Sequence, residues 1–166
     1  MVMHTIDTTT SLALKNYQFR VKQLFSCVEA WALTKFLQTE YGDVQLNEEA
    51  YGSYKIQTLK LFAPGQRQIA ELVPVGASII GAKGRVDLVG MLDQHILVDW
   101  DQGGPMVMAH VITEGQDTRK PRQLYRDVTE AGWYWVESRK LARAYPLDSK
   151  TFFDLLFAVS GYDCRN

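Results

Sequence analysis

The sequence predicts an α+β protein, a mostly antiparallel sheet of about six to seven strands carrying a long N-terminal helix and a C-terminal helix on one face. Three observations lead there. Residues Ser11 to Tyr41 repeat apolar side chains at helical spacing, the middle of the chain is a series of short aliphatic runs broken by Gly, Pro and Asp, and helical spacing returns after Pro146. Short connections between the runs favour neighbours pairing in chain order, and a sheet with one buried face needs a helical layer on it.

The elements follow in order. Residues up to Thr10 are polar and are expected to be loosely held. From Ser11, the positions Leu14, Tyr17, Val21, Leu24, Val28 and Trp31 alternate steps of three and four, and Phe25, Ala32 and Phe36 widen the stripe. This is an amphipathic helix, with Thr8–Ser11 as its capping run and Gly42 as its stop. Asp43–Ser53 is polar and reads as a connection, Tyr54–Phe62 as a strand, and Pro64-Gly65 as a turn. Gln66–Val73 suits a short helix or a strand, ended in either case by Pro74. Ala77–Ala82 and Met106–Thr113 read as strands, and polar Glu114–Gln123 as a solvated loop. Leu124–Val128 and Trp133–Ser138 suggest a hairpin, followed by an extended piece near Leu141–Tyr145. The last helix has Asp148 as N-cap, Phe152, Phe153, Leu155, Leu156 and Val159 as core face, and Gly161 as its end.

The stretch Gly84–Asp101 reads as a central hairpin whose fold-back point is Asp93. That pivot sets Val86 opposite Trp100 and Leu88 opposite Val98 on an apolar face, with Asp87 opposite Asp99 and Arg85 opposite Asp101 on the other. Opposed like charges in a sheet cost up to about 1 kcal/mol, so either Arg85 relieves the two carboxylates, or a cation sits between them, or the register is a different one.

At 166 residues one domain, 1–166, is the natural reading, and the formal net charge of −1 gives no global field directed at nucleic acid or at an anionic membrane. Two cysteines, Cys27 and Cys164, have neither disulfide-framework nor zinc spacing, and Cys27 falls at the edge of the buried stripe. Free thiols of this kind fit a reducing compartment. The first residues show no signal-peptide pattern, and no run is apolar enough to span a membrane, so the expectation is a cytoplasmic protein.

Two groups of residues offer chemistry. Asp87, Asp99 and Asp101 place carboxylates on adjacent antiparallel strands, an arrangement that resembles the metal centre of the PD-(D/E)xK nucleases. The resemblance implies Mg²⁺ held by Asp87 and Asp99 in a hydrolase acting on nucleic acid. It departs from the family at Asp101, which stands in the lysine's place, at Val86, which stands in the proline's place, and in having no helix after the second strand. The second group is Trp133, Tyr134, Trp135 and Arg139, with Arg119, Lys120, Arg122 and Arg126 upstream, where aromatics among cations offer a surface to a protein or, secondarily, to nucleic acid. Period two sends Trp133 and Trp135 one way and Tyr134 the other. His4, His95 and His110 have no ligand spacing, although His95 shares a strand face with Asp99.

The candidates scatter onto faces that hydration alone explains, so the expected role is binding or self-association through an open sheet face, without a catalytic centre or a cofactor. The expected partner is a protein, either another chain or a second copy of this one.

Overall fold

The computed structural model of the protein describes residues 8–65 and 67–165. It is α+β as expected: helix α1 (Thr8–Thr34) and helix α2 (Ser149–Ser160) pack on one face of an antiparallel sheet. The sheet strands are β1 (Gln38–Glu48), β2 (Gly52–Ala63), β3 (Arg67–Gly76), β4 (Gly84–Gly90), β5 (Gln94–Trp100), β8 (Gly132–Ser138) and β9 (Arg143–Pro146), paired in that order. A separate two-stranded ribbon, β6 (Met106–Thr113) with β7 (Gln116–Gln123), lies between β5 and β8 in the chain.

The helical stripe makes the main core. Tyr17, Val21, Phe25 and Val28 of α1 and Phe152, Leu156 and Val159 of α2 are buried against Leu59, Leu61, Leu72, Val86, Leu88 and Leu97 of the sheet. Two glycines at the ends of β4 let the helices come this close. A Cβ on Gly84 would stand 2.3 Å from the Tyr17 ring, and one on Gly90 would stand 2.2 Å from the carbonyl oxygen of Val159. Tyr17 is anchored there by its Oη, which donates to the Arg85 carbonyl at 2.7 Å, and burial pushes its phenol well above its ordinary pKa. Helix α2 has the expected ends: the Asp148 carboxylate accepts from the Thr151 N–H at 2.7 Å, and Gly161 takes a left-handed conformation.

Several boundaries differ from expectation. The loosely held tail was expected to reach Thr10, but Thr8–Thr10 belong to α1, where half-buried Thr10 extends the stripe one turn before Leu14; residues 1–7 lie outside the described residues. Helix α1 stops at Thr34 rather than at Gly42, because Phe36 takes the left-handed position (φ 58°) with the Phe36 and Leu37 N–H groups bonded back to Leu33 and Ala32. That is a Schellman-type end built on a phenylalanine, which leaves Phe36 exposed and off the stripe. The supposed connection after Asp43 is the second half of β1, an edge strand with Val44 and Leu46 turned inward. Of the stretch Gln66–Val73, Arg67–Val73 is strand while Gln66 lies outside the described residues, and Pro74 does not end it. Pairing with β2 stops at Leu72, so Pro74 sits where β3 has a neighbour on one side only and its missing N–H is tolerated. Ala77–Ala82 is not a strand but a tight irregular turn with one isolated bridge, Ile79 to Ala82. Its entry is held by Glu48, whose carboxylate accepts from the N–H groups of Ala77 (3.0 Å) and Ser78 (2.7 Å) and from the Tyr54 hydroxyl.

On the sheet's other face a second cluster forms from Val98, Trp100, Tyr134 and Ala144, closed over by Tyr125 and Val128. Leu124–Val128 is therefore an irregular lid on Trp100 and not half of a hairpin, and β8 pairs instead with β5 and β9.

Candidate functional site

The central hairpin exists, but its register overturns the predicted acidic pair. The fold-back is a three-residue loop, Met91–Asp93, closed by the Gly90 N–H on the Asp93 carbonyl (3.0 Å). Strand partners are Val86 with Leu97, Asp87 with Ile96 and Gly84 with Asp99. The slip from the expected pairing is three residues, and an odd slip moves every β5 side chain to the other face relative to β4. Asp99 shares the helix-covered face with Val86 and Leu88, whereas Asp87 lies on the opposite face with Arg85. The physical cause is that β5 is buried on both sides, Leu97 under the helices and Val98 and Trp100 in the second cluster, so its apolar run does not specify parity.

Each of the three aspartates has its own cation. Asp87, 5 % exposed, accepts from Arg85 Nε (2.7 Å) and Nη2 (2.9 Å) and from the Gln94 side-chain amide (2.8 Å). Asp101 pairs with Lys83 at the surface. Asp99, 3 % exposed, pairs with Nε of Arg20 on α1. Burial raises the Asp99 carboxyl above its ordinary pKa, against the opposing pull of Arg20. Since Asp87 and Asp99 do not converge, the arrangement required by the nuclease resemblance is not formed. Among the described residues no three His, Cys, Asp or Glu side chains gather as metal ligands would.

The aromatic group is also divided. Tyr134 is buried in the second cluster, with its hydroxyl donating to the Glu130 carbonyl (2.7 Å), so it presents no surface. Trp133 pairs with Asp99 and Trp135 with Leu97, on the helix side. Trp135 sits between His95 and Tyr145, at ring-centroid distances of 5.5 and 5.6 Å. Arg139 is exposed in the turn between β8 and β9. Of the histidines, His95 is half-buried beside Trp135, His110 lies 3.1 Å from Asp117 on the ribbon, and His4 is outside the described residues. Cys27 is exposed rather than at the edge of the core.

The feature that sequence reasoning missed is the β6–β7 ribbon. Glu114–Gln123 is polar because β7 stands against no core, but the ribbon is a regular hairpin with every residue from Met106↔Gln123 to Thr113↔Gln116 in register. Its turn has Glu114 at φ 50° and Gly115 at φ 79°, the paired positive values of a two-residue hairpin turn. Glu114-Gly115 between two equal runs was the available signal. Met106 (58 %), Met108 (60 %) and Ile112 (77 %) are exposed on one ribbon face, and Val107 and Val111 on the other.

Compared with protein-family models, curated proteins and solved structures, the chain gives no match. Among the described residues no helix is long and apolar enough to cross a membrane.

Proposed function

We propose that the protein is a non-enzymatic interaction module that self-associates through strand β6. The observation that carries this reading is the apolar character of β6 on both faces of a ribbon that leaves its edge unpaired. A two-stranded hairpin is marginal by itself in water, and a large exposed apolar strand marks an interface. The two free edges of the ribbon differ. Strand β7 carries Arg119, Lys120, Pro121 and Arg122, the charges and proline that discourage strand addition, whereas β6 has none of these. Antiparallel pairing of β6 with β6 of a second copy sets apolar side chains against apolar side chains and keeps the cations of both copies on the outer edges. The outer strand β1 is guarded by Glu40 and Asp43, and β9 has only four residues, so neither end of the large sheet competes. The unbonded thiols of Cys27 and Cys164 support a cytoplasmic setting.

Sedimentation equilibrium tests the reading. Wild-type protein is expected to be dimeric at micromolar concentration, and Met108→Lys with Ile112→Lys is expected to give a monomer with unchanged far-ultraviolet circular dichroism. A wild-type protein that remains monomeric at the highest soluble concentration contradicts it.

A further inference from the structure

A second feature is independent of the ribbon. Where α1 crosses β5 and β8, the structure leaves a cleft of about 250 Å³ lined by Arg20, Gln23, Trp31, Asp99, Trp133 and Leu147. Trp31, Trp133, Leu24 and Leu147 give it apolar walls, and Gln23 and the Arg20–Asp99 pair are its polar lining. Asp99 is held almost wholly out of water on β5 beside Trp133, and it engages Arg20 through Nε. Among the described residues no hydrogen bond engages Nη1 or Nη2 of Arg20, and a quarter of the side chain is exposed.

Arginine–carboxylate pairs are frequently two-pronged, through two parallel N–H groups. Here the contact is through the side of the guanidinium, which fixes the rotamer and leaves the end-on pair of nitrogens available. That pair is spaced for the two oxygens of a second oxyanion. We propose that the cleft is a receptor for a small organic carboxylate, gripped end-on by Arg20 with its apolar body against Trp31 and Trp133. Asp99 is a positioning residue in this arrangement. The buried pair aims the guanidinium before the ligand arrives, so no long side chain has to be ordered on binding. The apolar walls select a carboxylate with an aromatic or branched body over inorganic phosphate, which the same nitrogens would suit but the indoles would not.

Benzoate and phenylacetate are the probes, with benzyl alcohol as a neutral analogue and inorganic phosphate as an anion without an apolar body. The readout is the pair of indole N–H resonances of Trp31 and Trp133 during titration. A saturable shift of both with benzoate or phenylacetate, absent with benzyl alcohol and weaker with phosphate, is expected. Arg20→Lys keeps a cation for Asp99 but loses the planar pair of donors, and is expected to weaken binding at least about tenfold. Gln23→Trp fills the cleft from an exposed position and should abolish binding without touching the ion pair, so it carries the test if Arg20→Lys does not fold. Equal shifts with benzyl alcohol, equal affinity for phosphate, binding unchanged in both variants, or no saturation with either carboxylate would each overturn the proposal.

Discussion

Gly90→Ala probes the contact that seats α2 on the sheet. Gly90 has no positive φ to defend, so the substitution acts through space alone. The new Cβ would lie 2.2 Å from the oxygen, 2.6 Å from the carbonyl carbon and 2.8 Å from the Cβ of Val159, the first more than an ångström inside ordinary contact. The obstacle is mainly backbone, and it is held in place: the Val159 carbonyl accepts from the Leu92 N–H at 2.9 Å, and the Gly161 N–H closes the helix on Phe157 at 2.8 Å. Overpacking a core of this kind costs about 1–3 kcal/mol, and losing the Leu92 bond adds about 1 kcal/mol. The stiffer unfolded chain returns about 0.4–1 kcal/mol. The net expectation is a loss of about 1–3.5 kcal/mol in urea unfolding followed by tryptophan fluorescence. Gly52→Ala provides the scale, since nothing lies within 4 Å of its Cβ and only its left-handed φ of 72° is strained, at about 1–2 kcal/mol. If Gly90→Ala costs under 1 kcal/mol, the close approach of β4 and α2 is wrong.

Phe36→Gly relieves a left-handed, exposed phenylalanine at the end of α1 and should stabilise the protein by about 1 kcal/mol in the same unfolding assay. For Asp99, burial outweighs Arg20 and the folded pKa is raised, so between the ordinary value of 3.8 and the raised one the folded state binds the extra proton. Stability from this group is therefore fully present below pH 3.8 and is lost as the pH rises through the folded pKa. The difference in unfolding free energy between wild type and Asp99→Asn should fall over that window, whereas an ion-pair-dominated carboxylate would make it rise.

Much of the fold was legible because it is written in side chains that touch one core. The stripe from Leu14 to Trp31 and the capped pattern from Asp148 to Gly161 each have one buried side, and both helices lie where their stripes require. The hairpin strands were legible for the same reason, but their register was not. Ile96, Leu97 and Val98 satisfy either parity when both faces are covered, and that ambiguity created a false meeting of Asp87 with Asp99. The end of α1 was hidden because a phenylalanine occupies a position usually given to glycine. Strand β7 was hidden because its side chains meet solvent and leave no alternation to read. The Arg20–Asp99 pair joins α1 to β5, a long-range contact that no local spacing announces.

Amide hydrogen exchange followed across a range of protein concentrations tests self-association through β6 most directly. Pairing of two copies predicts that alternate amides within Met106–Thr113 become slower as concentration rises, while Gln116–Gln123 and the seven-stranded sheet stay constant. Exchange in β6 that does not change with concentration, or protection that grows on α1 instead, would contradict it.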